Sequence, residues 1–262
     1  MRTDEDLNSE NESNSSDNNF TDFGYTKVSE HEKEEKVAEV FDSVADNYDL
    51  MNDLMSFGLH RIWKRQAVGI CNIREGDRVL DLAGGTGDIT KLIHKKIGKA
   101  GEITLSDINP NMLEVGKNKL LDLGIIKNIN YVVANAEKLP FKDNTFNKVI
   151  IGFGLRNVTK KDKALSEIYR VLKPGGKIIV LEFSKPNSKL SAAYDFYSFK
   201  VIPKIGKLIA NDEDSYKYLA ESIRMHPNQE KLLSMIENEG FALCKYKNLL
   251  SGIVAIHTGI KP

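Results

Sequence analysis

Between Arg78 and Asp88 the chain reads RVLDLAGGTGD, a short apolar strand that runs straight into a glycine-rich turn and opens a helix. Gly84, Gly85 and Gly87 permit positive φ and let the backbone approach a ligand, while the first N–H groups of the helix face it. Downstream, β-rich runs alternate with helical stretches. Strands are predicted over Arg78–Leu82, Glu102–Ser106, Asn130–Ala134, Lys148–Phe153 and Lys177–Phe183, and helices over Ile89–Ile97, Asn109–Leu123 and Lys160–Leu172. Such alternation, with continuously apolar strands, predicts an α/β fold: a mostly parallel, Rossmann-like sheet with helices on both faces and its ligands beyond the carboxyl ends of the strands. Two last runs, Phe241–Leu249 and Ile253–Gly259, are joined by Leu250-Ser-Gly and predict an antiparallel, hairpin-like ending.

The charge is unevenly spread. Lys and Arg number 37, as do Asp and Glu, yet eleven carboxylates stand against four basic residues before residue 37, leaving −7 there and +7 on the rest. Residues 1–30, rich in Asn, Ser and Glu, are expected to form a disordered acidic tail. The domain is then expected over 31–262, opening with an amphipathic helix across Glu35–Tyr48 (Val37, Val40, Phe41, Val44 and Ala45 on one stripe) and a second near Leu59–Val68. Cys71 and Cys244 stand far apart, which argues against a disulfide framework or a zinc site. No apolar run reaches the roughly 18–20 residues of a membrane span. A neutral sum argues against nucleic-acid binding. A cytoplasmic protein is expected, at most peripheral at the inner face of a membrane.

The strand ends carry the chemistry. Asp81 places an acid before the turn, and Asp107 ends the next strand where a carboxylate can take both hydroxyls of a ribose. Asn135 and Ala136 end the third, where a small polar side chain and a backbone N–H can read an adenine edge. Helix capping is the competing role for Asp81 and Asp107. A dinucleotide fingerprint needs glycine three positions after Gly87, where this chain has Thr90, so an NAD(P)-dependent oxidoreductase is the weaker reading. An acid followed by a G-x-G turn suits S-adenosylmethionine, whose amino-acid end is cationic and which has no pyrophosphate.

Two further segments, YDLMNDLMSFGLHRIW (Tyr48–Trp63) and RVLKPGGKIIVLEFS (Arg170–Ser184), closely resemble the signature segments of the ubiquinone/menaquinone biosynthesis C-methyltransferase family. The similarity runs through Gly154–Val158, Asn211–Tyr216 and Glu221–Pro227, covering about residues 20 to 262. The resemblance implies a class I methyltransferase fold and transfer of a methyl group from S-adenosylmethionine to a ring carbon of a polyprenylated benzoquinol or demethylmenaquinol. It places cofactor contacts on Thr86, Asp107, Asn135 and Ala136. It departs at Gly152, where relatives often carry serine. A homodimer or a place in a quinone-synthesis complex is the partner expectation; a non-catalytic scaffold in such a complex is the third reading.

Carbon methylation needs an ortho carbon made nucleophilic as the quinol hydroxyl loses its proton, hence a proton acceptor or a cation near the oxygen, and no metal. Arg156 is the expected phenolate stabiliser, with Asn157 and Tyr48 orienting the ring or a water. His60 is a base by residue type, or an anchor beside Trp63. His226 ends a helix or meets substrate, and Glu182 is expected to pair with an arginine. Around 186–228 a lid insert is expected, its aromatic segment Leu190–Ala210 carrying Lys200, Lys204 and Lys207 towards the prenyl chain or anionic headgroups.

Overall fold

The computed structural model describes residues 20–45, 48–186, 194–210 and 212–262. Its first element is unexpected. Residues 20–29, assigned from composition to the disordered tail, form an antiparallel hairpin of β1 (Phe20–Phe23) and β2 (Thr26–Ser29). Too few apolar residues mark it locally; Phe23 finds its partner in a distant ring, as shown below.

Ser29 then caps α1 (Glu30–Val44), its hydroxyl accepting from the Glu32 N–H, so the helix begins five residues before the apolar stripe suggests. Two more helices follow, α2 (Tyr48–Ser56) and α3 (His60–Cys71). From there the α/β alternation proceeds as β3 (Arg78–Leu82), α4 (Asp88–Ile97), β4 (Glu102–Asp107), α5 (Pro110–Asp122), β5 (Ile129–Val133), β6 (Phe146–Gly152), α6 (Lys161–Val171) and β7 (Leu172–Phe183). The sheet is completed by β8 (Ala242–Leu249) and β9 (Val254–Ile260).

Seven strands lie in the order β5-β4-β3-β6-β7-β9-β8. β3 to β7 are mutually parallel, and β9 runs antiparallel to both β7 and β8. The chain winds outward from β3 through β4 to β5, then returns to β6 on the other side of β3. That reversal leaves a crevice between the carboxyl ends of β3 and β6.

Period-two alternation distributes the apolar residues to two cores. Val79, Ile150, Ile179 and Leu181 face one side, with α3 and α4 residues such as Trp63, Ile89 and Ile93. Leu80, Leu82, Val149, Ile151, Ile178 and Val180 face the other, beneath α6. Between β7 and β8 lie a π-helical turn (Tyr197–Val201) running into α7 (Ile202–Ala210), then α8 (Glu213–Met225) and α9 (Gln229–Asn238). They occupy much of the expected lid insert, whose residues 187–193 and 211 lie outside the description. Among the described residues, no helix is long and apolar enough to cross a membrane.

Candidate active site

The loop after β3 is set by its backbone. Ala83, Gly85 and Gly87 have φ of +52, +52 and +77°. Gly84 has no room for a side chain: a Cβ there would lie 2.2 Å from Leu105 Cδ1 and 2.9 Å from Asp81 Cγ. The packing glycine missing at Thr90 is supplied elsewhere, by Gly116 of α5, where a Cβ would fall 2.6 Å from the Gly85 carbonyl oxygen. Helix α5 thus seats directly on the ligand loop.

Asp107 ends β4 and lines the crevice. One carboxylate oxygen accepts the Gly85 N–H at 2.9 Å and the other the Asn109 N–H at 3.0 Å, so the acid ties the glycine loop to the second strand. The helix cap is not Asp107 but Asn109, whose side chain accepts from the Asn111 and Met112 N–H groups. Burial pushes the Asp107 carboxyl up against three backbone N–H bonds that pull it down. Beyond it, Asn135 and Ala136 also line the crevice; Asn135 holds its loop by accepting the Glu137 N–H at 2.8 Å.

Asp81, expected at the cofactor, does not line the crevice: it is fully buried and accepts the hydroxyl of Thr90 of α4 at 2.7 Å. On an alternating strand its neighbours Leu80 and Leu82 face the opposite core, which directs the carboxylate into the apolar layer with Val79. Burial raises it to about 7. Thr86, Gly84 and Gly87 shape the loop without lining the crevice, with Thr86 nearly buried. Gly152 abuts α4: a Cβ there would lie 2.4 Å from Ile89 Cδ1, so a methyl occupies the place of a hydroxyl.

Across the crevice, β6 leads through Phe153 (φ +59°) into Gly154 and a helical turn, Leu155–Asn157. Gly154 is obligatory because Ala83 Cβ sits 2.6 Å from where its own would be. Two non-glycine residues in the left-handed region, Ala83 and Phe153, line the crevice, a strain held by surrounding packing. Phe153 is fixed by Phe183, with ring centroids 4.8 Å apart, and by Trp63 at 6.3 Å.

Asn157 lines the crevice and Arg156 does not. Arg156 is turned inward: its Nη1 donates to Glu182 Oε1 at 3.1 Å and to the Phe153 carbonyl, and its amide N–H donates to Glu182 Oε2 at 3.2 Å. A cation this buried needs a buried anion, and Glu182 at the end of β7 is in reach. The expected partner role of Glu182 is therefore what the geometry has, and it draws Arg156 away from the phenolate role assigned to it from sequence. His60 does not line the crevice either. It is buried, its Nε2 is 2.8 Å from Asp53 Oδ1, and it ties α2 to α3 as an anchor; burial lowers its pKa. His226 caps the end of α8, and burial, with Lys161 and Arg156 next, lowers its pKa well below the ordinary value. Tyr48 begins α2, but its side chain lies outside the described residues.

Sequence reasoning missed the covering wall. Helix α1 lies over the crevice with Glu34, Phe41 and Asp42 on its lining. Asp42 accepts from Asn109 Nδ2 at 2.7 Å and Asn111 Nδ2 at 2.9 Å. The apolar stripe of α1 signals its packing; nothing local says that its polar face meets strand ends some 70 residues away. The result is a sharp electrostatic bias. Glu34, Asp42, Asp107 and Glu137 line the crevice, and no lysine, arginine or histidine does among the described residues. Such a lining repels a pyrophosphate and suits a ligand with cationic groups. Among the described residues no cluster of His, Cys, Asp and Glu could hold a metal ion.

Comparison with known proteins agrees with this geometry. The sequence profile of the ubiE/COQ5 methyltransferase family matches residues 29–261. A protein of Pseudoalteromonas translucida named ubiquinone/menaquinone biosynthesis C-methyltransferase UbiE is 59% identical over 242 residues, covering 92% of this chain and 96% of its own. The protein of the same name from Hydrogenovibrio crunogenus is 60% identical over 241 residues, covering 92% and 95%. Among solved structures, a SAM-dependent methyltransferase from Aquifex aeolicus superposes with a TM-score of 0.60 at 16% identity, covering 81% of this chain and 97% of its own. A Haemonchus contortus phosphoethanolamine N-methyltransferase crystallised with S-adenosylhomocysteine gives 0.57 at 17%, covering 76% and 52%. These structural likenesses carry the fold.

Proposed function

The chain belongs to the ubiE/COQ5 methyltransferase family, and from that premise we propose that the crevice between β3 and β6 holds S-adenosylmethionine and opens onto the quinol ring at Asn157. The protein is an S-adenosylmethionine-dependent C-methyltransferase of ubiquinone and menaquinone biosynthesis, acting on a polyprenylated quinol. The observation that carries the site assignment is the acid-lined crevice without a cationic side chain at the switch point of the sheet.

The residues fit the ligand. Asp107 keeps acceptor capacity for a ribose hydroxyl: a carboxylate offers about four lone-pair sites, and the backbone N–H groups of Gly85, Ile108 and Asn109 take three. The loop backbone around Gly85, with no side chain in the way, meets the amino-acid end. Asn135 and Ala136 border the adenine, and Met112 and Phe153 supply its apolar walls. Bound there, S-adenosylmethionine would supply an electrophilic methyl group, with S-adenosylhomocysteine as the leaving group and the hydrogen of the methylated ring carbon departing as a proton.

This chain's own part is to hold and polarise the acceptor. Asn157 faces the crevice and can donate a hydrogen bond to the quinol oxygen as negative charge develops on it. Arg156 and Glu182 anchor the turn that carries Asn157. Holding donor and acceptor in line supplies much of the remaining barrier reduction. The prenyl chain needs an apolar exit, and we place the enzyme against the bilayer through the surface formed by Phe57 and the helix beginning near residue 194. Phe57 is 75% exposed in a left-handed conformation (φ +51°) and stacks at 4.7 Å on Tyr197, in the segment that carries the exposed Phe196, Lys200 and Lys204.

Calorimetric titration with S-adenosylmethionine and with NAD tests the crevice directly: micromolar binding of the first and none of the second is expected. Methyl transfer to short-chain demethylated benzoquinol and naphthoquinol then tests the acceptor. Binding of NAD instead would sink the assignment.

A further inference from the structure

We infer that Tyr218 is a positioning residue for methyl transfer: its hydroxyl orients the Asn157 amide so that the amide N–H groups face the crevice, and the N-terminal hairpin holds Tyr218 in place. The inference rests on the reading of Asn157 as the group that meets the quinol.

Tyr218 lies on α8 and is 4% exposed, and its hydroxyl donates to Asn157 Oδ1 at 3.2 Å. Burial raises its phenol well above the ordinary value, although Arg156 pulls the other way, so it stays protonated and keeps its donor role at working pH. A primary amide has two chemically opposite ends, an accepting oxygen and a donating nitrogen. With the oxygen held by Tyr218, the nitrogen is the end left for the crevice, and Asn157 Nδ2 makes no hydrogen bond to protein among the described residues. An oxygen that becomes a phenolate needs a donor there. The terminal torsion of asparagine is soft and close to two-fold, so without the phenol the amide can turn over and present its carbonyl oxygen to an anion. The hydrogen bond from Tyr218 is what tells the two ends apart.

The seat of Tyr218 comes from far away in sequence. The Phe23 ring of β1 stacks on it, with centroids 4.1 Å apart and planes 13° from parallel. Val37 and Val40 of α1 complete the apolar contact. Beside the stack, the Tyr25 N–H donates to the Glu221 carboxylate at 3.1 Å. The hairpin turn itself requires glycine: Gly24 has φ +57°, and a Cβ there would lie 2.2 Å from Glu221 Oε2. A hairpin of two four-residue strands has little stability alone. Docked this way, it fixes one ring, and through that ring one amide in the crevice.

A double-mutant cycle with quinol as varied substrate tests the chain of contacts. Tyr218→Phe keeps the ring and its stack and removes only the hydroxyl. Its kcat is expected to fall about tenfold, the worth of one oriented hydrogen bond, while affinity for S-adenosylmethionine and the thermal midpoint stay at wild type. In an Asn157→Ala background, Tyr218→Phe is expected to have no further effect. Wild-type kcat in Tyr218→Phe, or a full tenfold loss persisting on top of Asn157→Ala, overturns the positioning role while leaving the Asn157 reading intact. A silent Asn157→Ala overturns that reading and this inference with it. Phe23→Leu keeps apolar bulk without the stack; a lowered kcat at unchanged cofactor affinity supports the hairpin's part, and an unchanged kcat removes it.

Discussion

Asp81 shows how one buried side chain sets a pH dependence. Its carboxyl is raised by burial to about 7, from an unfolded value near 4. The folded protein therefore holds this proton more tightly than the unfolded chain. The stabilisation is complete below about pH 4 and is lost as pH rises through about 7. Asp81→Asn keeps an acceptor for the Thr90 hydroxyl and cannot ionise. Chemical denaturation at pH 5 and pH 8 is expected to show wild type losing stability between the two and Asp81→Asn losing less. Equal losses would exclude Asp81 as the source. Arg156 and Glu182 illustrate a different constraint. Both side chains are at most 2% exposed, so either one alone would be an uncompensated charge. Each is explained by the other before any substrate is considered.

Among the elements, α5 is the one whose placement most directly governs the ligand loop. Gly116 lets the helix approach within contact of the Gly85 carbonyl and Thr86 backbone, while Leu113 and Leu120 pack on Leu105 of β4. Gly116→Ala puts a methyl 2.6 Å from the Gly85 oxygen, so either the helix or the loop must retreat. Overpacking of this kind costs about 1–3 kcal/mol. Although alanine favours helix, the expected outcome is a lower denaturation midpoint together with weaker S-adenosylmethionine binding. A gain in stability with unchanged affinity would show that the contact relaxes freely. The same helix meets α3 and α4 through Asp88, whose carboxylate accepts from Lys64 at 2.9 Å and Lys119 at 2.8 Å. Burial opposes ionisation there, but the two ammonium groups outweigh it and hold Asp88 well below the usual carboxylate range.

At the scale of the whole molecule, a neutral sum conceals −7 before residue 37 and +7 after it. The proposed bilayer-facing surface combines Phe57 with the segment, joined to it through Tyr197, that carries Phe196, Lys200 and Lys204. Lys200→Glu with Lys204→Glu is expected to reduce sedimentation with anionic liposomes at low salt while leaving S-adenosylmethionine affinity unchanged; undiminished sedimentation would remove this surface from consideration. The sequence alone fixed what depends on near neighbours. Strand β3 falls at Arg78–Leu82 as predicted, and the other strands of the parallel set begin or end within a few residues of expectation, because apolar runs and glycine turns are local signals. That Gly85, Asp107, Asn135, Ala136 and Asn157 line one crevice follows from signals of the same local kind: each lies at or just beyond a strand end. Contacts between distant segments could not be read this way. The hairpin at 20–29, the carboxylates of α1 over the crevice, the inward turn of Arg156 and the burial of Asp81 were decided only when the sheet brought separate segments together. Whether a charged side chain meets a ligand or a buried partner depends on which face of its strand or turn is covered, and only the tertiary structure settles that.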